Sequence, residues 1–341
     1  MPRKILIDGT PGVDMAIALS IAMFHPELEL VAATSIGGRL PEGTAAINLH
    51  GLVEFLDPPK LPRIGVGTGP VPEMRDLWRR FDYLNNAHLP DVERLAPCSA
   101  DRVIIETARS TPREVTVITC GPLTNLLRAF QRDPELPSLL RRVVIAGGAV
   151  LAPGDVTPMA EFNIFADPMA AAEVVHSTTT KQLVPLDVTA GCELSREQIL
   201  SRCLSTALRT RVGQLLQWIL LPNHQDHDRL DQDQDLDLEL DPDKDELNDE
   251  LEYIACPGTI AMMTVLAPRL FQIRQMSGDV EVNDGLCVGT TVFDRREPSL
   301  WPGNIDVVHD FAYHETTNSR AWPVLQLIYE AIEQAARQTS E

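Results

Sequence analysis

Lys4-Ile5-Leu6-Ile7-Asp8-Gly9-Thr10-Pro11-Gly12-Val13-Asp14-Met15 is the stretch that decides the fold class. Its first four residues read as a buried strand, and the nearly continuous apolar run at 16–24 reads as a helix. Between them Thr10 suits a helix N-cap, and Pro11 suits the first helical turn, where a missing N–H costs nothing. Strand, tight turn and helix in that order are the opening of a βαβ unit, and the alternation continues along the chain. Further strands are expected at 28–36, 64–67, 115–119, 143–146 and 182–186, with helices at 44–55, 100–108, 123–130 and 168–175. This pattern predicts an α/β fold with a mainly parallel, Rossmann-like central sheet flanked by helices. Its chemistry belongs at the carboxyl ends of the strands. There fall 8–15, Gly37-Gly38-Arg39, 121–125, 147–154 and 187–189.

The 341 residues are 44% hydrophobic, enough for a large core, and are read as a single domain, 1–341. No apolar run reaches the roughly eighteen residues of a membrane span. The first strand begins at once, leaving no room for a signal peptide, so a cytoplasmic location is expected. Cys98, Cys120, Cys192, Cys203, Cys256 and Cys287 form no CxxC pair, which argues against structural zinc and for reduced, mostly buried thiols. The net charge is −20, but it is concentrated. Residues 225–252 hold fourteen acidic side chains against Arg229 and Lys244, a net of −12, so the other residues carry −8. Neither part offers the basic surface that nucleic acid requires.

The acidic tract reads as a solvated insertion, because Leu230, Leu236, Leu238 and Leu240 are too few to build a core amid such repulsion. Its Asp235-x-Asp237-x-Glu239 spacing imitates an EF-hand, yet Leu240 stands where the turn needs glycine. His224 and His227 precede it with Asp226 and Asp228; a solvated loop, or a lid over the pocket, fits them better than a zinc site.

The opening stretch resembles the Asp-Thr-Asp-Pro-Gly-Ile-Asp-Asp signature of the inosine–uridine nucleoside hydrolases. The resemblance extends through 28–38 (LELVAATSIGG), 61–69 (LPRIGVGTG), 119–126 (TCGPLTNL), 154–167 (GDVTPMAEFNIFAD), 185–189 (PLDVT) and 289–296 (GTTVFDRR). It implies the family's fold, a small-molecule nucleoside or ribosyl ligand and a homo-oligomer. In that family the aspartates of the opening turn hold calcium and activate the attacking water.

Several positions depart from that pattern. Thr10 stands where the family has its metal-binding general base, and Met15 where it has a metal-ligating Asp. Gly258 stands where it has a late metal-binding Asp, and Pro257 replaces a His used to protonate the leaving base. The metal positions left are Asp14 and the Thr124 carbonyl. A thioether is a poor partner for a hard cation, and no carboxylate remains at position 10 to take a proton from water. The family's calcium is therefore expected to be lost. The ribose-contacting set persists better: Asp14, Glu161 and Asn163 match family residues, Asp155 takes the place of a ribose-contacting Asn, and Arg39 replaces another Asn near the site. For Asp14 the alternative is a helix N-terminal carboxylate favoured by the dipole. His88 resembles a pocket histidine of the family or is an exposed loop residue. Asp14, Asp187 and His88 are the catalytic candidates.

Three readings follow: a binding module that has lost calcium-dependent hydrolysis, an active N-glycosidase with a rebuilt, metal-free site, and an interaction protein working through the acidic tract. The loss of negative charge near Thr10 and the gain of Arg39 leave two explanations open: simple drift after loss of function, or a move toward an anionic ligand such as a ribose phosphate or nucleotide.

Overall fold

The computed structural model describes residues 1–69, 84, 89–90, 92, 98–207, 210–220, 253–312 and 321–338. His88, His224, His227 and the acidic tract 225–252 lie outside the described residues.

The strands are β1 (Arg3–Gly9), β2 (Leu28–Ser35), β3 (Arg63–Val66), β4 (Thr116–Cys120), β5 (Arg142–Ala146), β6 (Lys181–Val184), β7 (Glu193–Ser195), β8 (Tyr253–Ala255), β9 (Phe271–Met276), β10 (Gly278–Val280), β11 (Thr291–Phe293) and β12 (Ile305–Phe311). The α-helices are α1 (Val13–Phe24), α2 (Glu42–Leu56), α3 (Ala100–Ser110), α4 (Thr124–Arg132), α5 (Leu136–Leu139), α6 (Phe162–Ala166), α7 (Pro168–His176), α8 (Leu186–Thr189), α9 (Arg196–Ala207), α10 (Arg211–Leu220), α11 (Pro257–Leu266) and α12 (Trp322–Gln338).

Among the described residues the central sheet has eight strands in the order β3-β2-β1-β4-β5-β6-β12-β9. All its pairings are parallel except that of β9 with β12. Chain order reverses between β1 and β4, and the carboxyl end of the sheet at such a switch point is the usual ligand position in these folds. One face of the sheet packs against α1, α11 and α12, through Ile17, Ile260 and Ile328 among others. The other packs against α3, α4 and α7, through Ile104, Leu126 and Val174. A sheet covered on both faces needs strands that are apolar on both sides, and Ile5, Leu6 and Ile7 are all fully buried.

The expected elements form with small shifts and two corrections. Thr10 is not the cap of α1: the helix starts at Val13 after Gly12, with no side-chain cap, because the Thr10 hydroxyl instead donates to Ile36 O at 3.2 Å. The strand expected at 182–186 ends at Val184, since Pro185 leads into the single turn α8. Of the five cysteines whose side chains are described, Cys192 and Cys256 are buried, Cys98 and Cys120 partly so, and Cys287 is exposed. No described helix is long and apolar enough to cross a membrane.

Candidate functional site

The segments after β1, β2, β4, β5 and β6 meet at the carboxyl end of the sheet, as the alternation predicted. At the carboxyl end of β1 Asp8 is fully buried, with Oδ1 accepting from Thr34 Oγ1 (2.6 Å) and Asn125 Nδ2 (2.8 Å). Its neighbours across the sheet in register are Thr34 and Thr119. Burial pushes its pKa up to about 6, against the two hydrogen bonds, and Oδ2 has no partner among the described residues.

In the first turn of α1, Asp14 reaches across to the start of α11. Its Oδ2 accepts from Gly258 N at 2.7 Å, and its Oδ1 accepts from Thr259 N at 2.9 Å and Thr259 Oγ1 at 2.8 Å. The exposed N–H groups of a helix N-terminus need acceptors and favour negative charge, and α11 has no side-chain cap of its own. Asp14 is thus an anion in the first turn of its own helix, as the dipole alternative expected, and also accepts the N–H groups that open a second helix 244 residues away. Burial raises its pKa, while the Thr259 and Gly258 donors and the positive charge of Arg39 oppose the rise.

The family-equivalent metal positions surround this contact. Thr10 is tied to Ile36 O, and Met15 is 1% exposed within the core. The Thr124 hydroxyl donates to Asp167 Oδ2 at 2.6 Å. A Cβ added at Gly258 would lie 2.4 Å from Cys120 Sγ and 2.9 Å from Asp14 Oδ2, so position 258 has no room for a side chain as the neighbours stand. Pro257 is the first residue of α11. No group of three or more His, Cys, Asp or Glu side chains is placed to hold a metal among the described residues.

The other wall is built by the loop after β5 and by α6. Glu161, 5% exposed, caps α6: Oε1 accepts from Asn163 N (3.0 Å), and Oε2 from Ile164 N (3.2 Å) and Gly148 N (2.8 Å). Gly148 presents that N–H from a left-handed conformation, φ +75°, which glycine adopts without strain. Burial and the nearby Asp155 charge push Glu161 up to about 7, and its three N–H donors pull the other way. Asn163 Nδ2 donates to Ala146 O at 2.9 Å, which leaves Oδ1 with no partner among the described residues. Asp155 accepts from Phe162 N at 2.8 Å and from Arg39 Nη2 at 3.0 Å, and the Arg39 guanidinium lies 4.7 Å from the centre of the Phe162 ring.

The structure therefore joins Asp14, Arg39, Asp155, Glu161 and Asn163 in one chain of contacts and fields. Asp187 stands apart in role: its carboxylate takes the N–H groups of Val150 (2.7 Å), Leu151 (2.7 Å) and Ala152 (3.1 Å), fixing the loop after β5. Sequence reasoning passed over Asp8, Cys120 and Thr259. Asp8 and Cys120 lie in quoted motifs, so their positions were readable; their burial and contacts were not. Thr259 carries no local signal, since its partner lies at the other end of the chain.

Comparison with known proteins agrees with this architecture. The profile of the inosine-uridine preferring nucleoside hydrolase family matches residues 5–317. Uridine nucleosidase 1 of Arabidopsis thaliana is 29% identical over 86% of this chain and 82% of its own length. The pyrimidine-specific ribonucleoside hydrolase RihA of Salmonella enteritidis is 37% identical over 64% of this chain and 72% of its own. Among solved structures, a purine-preferring ribonucleoside hydrolase from Gardnerella vaginalis superposes with a TM-score of 0.79 at 20% identity, covering 98% of this chain and all of that one. With a family profile spanning nearly its whole length, the chain belongs to the inosine-uridine preferring nucleoside hydrolase family.

Proposed function

We propose that this protein binds a nucleoside or another ribosyl compound in a crevice at the carboxyl end of the sheet, over the β1–β4 switch point, without the family's calcium-dependent hydrolysis of the N-glycosidic bond. The observation that carries the reading is the engagement of Asp14 by the start of α11. Calcium takes six to eight oxygens, several of them anionic. Here the metal positions carry a threonine tied to a carbonyl, a methionine in the core and a glycine packed against Cys120. Asp14 is the one carboxylate left among them, and it already accepts three hydrogen bonds. These residues do not fit a calcium ion, and no carboxylate at position 10 is available as a base.

The sugar-facing wall keeps acceptors for hydroxyl donors. Asn163 Oδ1 is unpartnered among the described residues, and Glu161 Oε1 accepts one hydrogen bond from them where a carboxylate oxygen has room for two. Arg39, which suggested an anionic ligand, is committed to Asp155 and to the face of Phe162, so a neutral ribosyl group is the better match.

A second reading, an active metal-free N-glycosidase, rests on Glu161, whose pKa of about 7 suits a general acid. The other carboxylates it would call on, Asp14, Asp155 and Asp187, are each held by backbone N–H groups. The test is hydrolysis of p-nitrophenyl riboside and of purine and pyrimidine nucleosides, with calcium and with chelator, beside calorimetric binding of the same nucleosides. The expected result is binding that Asn163→Ala abolishes and no turnover in either condition. Calcium-dependent turnover overturns the proposal. Turnover in chelator that Glu161→Gln abolishes replaces it with the second reading.

A further inference from the structure

The opposite end of the sheet carries an unusual distribution of charge. In a chain of net charge −20, the amino ends of β1, β4 and β5 gather Arg3, Lys4, Arg141 and Arg142 around a cleft of about 580 Å³, with Glu114 as its one acidic lining residue. A neighbouring cleft of about 520 Å³ shares Arg141 and Thr180 with the first and adds Arg113. Strand register accounts for the clustering. Ile5 pairs with Thr116, Thr116 with Arg142, and Val143 with Lys181, so these strand starts lie side by side.

The positive charge is only partly compensated. Lys4 pairs with Glu114 at 2.6 Å. Arg3 is held by Val265 O (2.9 Å) and Leu266 O (2.7 Å) at the end of α11 and also pairs with Glu27 at 3.5 Å. Arg141 and Arg113 have no side-chain partner among the described residues. Arg142 donates to the neutral Gln182 Oε1 at 3.0 Å, but its Nε is buried without a partner. Burial, then the charges of Arg141 and Arg3, hold its pKa below the ordinary value, with Asp306 opposing more weakly. In the second cleft Thr179, 5% exposed, has a buried hydroxyl that is also unpartnered. Arg141 lines both clefts and Arg113 the second, both exposed, so the accessible guanidinium groups there suit an acceptor with negative charge.

We propose that this paired cleft is a second ligand site, which takes a phosphate-bearing small molecule with Arg141 and Arg142 as its phosphate-holding residues. A guanidinium's planar set of donors matches phosphate oxygens in pairs, and the volume exceeds that of a single phosphate. The site is independent of the ribosyl crevice, lying at the other end of the strands.

The experiment is calorimetric titration of the full chain with inorganic phosphate, ribose 5-phosphate and a nucleoside diphosphate, with ribose as the neutral control. The expected result is binding of at least one phosphate compound that weakens about tenfold in Arg141→Gln, a change at an exposed residue, and again in Arg142→Gln. Glu114→Gln, which removes the competing carboxylate and frees Lys4, is expected to tighten it. Equal affinity for all three assigns the site to the phosphate group alone, whereas tighter binding of the diphosphate assigns it to a nucleotide. No binding at millimolar concentration overturns the proposal. So does binding that Arg141→Gln and Glu114→Gln leave unchanged, or binding that Asn163→Ala abolishes, since that ligand would then sit in the crevice.

Discussion

Gly258→Ala is the substitution that most sharply probes the crevice. In an ordinary helix this exchange stabilises by about 0.5–1 kcal/mol, because glycine loses more backbone freedom on folding. Here the new Cβ would lie 2.4 Å from Cys120 Sγ, and 2.9 Å from both Cys120 Cβ and Asp14 Oδ2. Ordinary carbon contacts are about 3.5–4 Å, so Cys120 or Asp14 has to move. Overpacking of this kind costs about 1–3 kcal/mol. Moving Asp14 would add part of its three charge-assisted hydrogen bonds to that cost. The expected sign is therefore reversed, with a net loss of about 2 kcal/mol. At roughly 2–4 °C per kcal/mol for a large domain, the midpoint should fall by roughly 4–8 °C. Thermal and urea denaturation of wild type, Gly258→Ala, Cys120→Ala and the double variant measure this. Cys120→Ala removes the shortest contact, so the double variant should recover part of the loss, with a coupling above about 0.5 kcal/mol. A Gly258→Ala protein as stable as wild type, or more so, would refute the steric reasoning and reopen position 258 to a metal ligand.

Other consequences are as direct. Asp8 has a folded pKa of about 6 against an ordinary 3.8, so its contribution is present below pH 3.8 and is lost as pH rises through 6. By linkage that is roughly 3 kcal/mol at most, and Asp8→Asn should flatten the pH dependence of urea stability over this window; an unchanged slope would contradict it. The field of Asp155 helps to raise Glu161, so Asp155→Asn should lower the Glu161 pKa from about 7, whereas Arg39→Ala, by unpairing Asp155, should raise it. Carboxyl-carbon NMR titration reads both shifts, and opposite signs would overturn the assignment. Asp187→Ala strips three N–H groups of their acceptor, and should speed hydrogen exchange at Val150, Leu151 and Ala152 while costing about 2 kcal/mol. Unchanged exchange there would show that the loop is held by other contacts.

Much of the fold is legible in the sequence because the strands beside the crevice are buried on both faces. Ile5-Leu6-Ile7 and Val143-Val144-Ile145 are continuous apolar runs that admit few other readings. β9 gives no such signal: Gln272, Ile273, Arg274 and Gln275 are all exposed, so neither alternation nor a run marks the strand. The Thr10 cap failed because a hydroxyl within reach of the β2 loop found Ile36 O instead of its own helix. The site was legible as a set of residue types, since Asp155, Glu161 and Asn163 share one short motif, and the structure links them. What each carboxylate does was not legible. Asp14 reads as a residue of α1, yet its partners lie at the start of α11; Asp187 reads as a catalytic candidate, yet its partners are the amides of a neighbouring loop.

The account turns on whether calcium finds a site here. Isothermal titration of calcium into the chelator-stripped protein, alone and with saturating nucleoside, tests that most directly. To set aside ions gathered by the acidic tract, the same titration is run on Asp14→Asn. The account predicts no saturable one-to-one site that depends on Asp14, with or without nucleoside. A one-to-one site that Asp14→Asn abolishes, strengthened by nucleoside, would contradict it and restore the family's metal chemistry to this crevice.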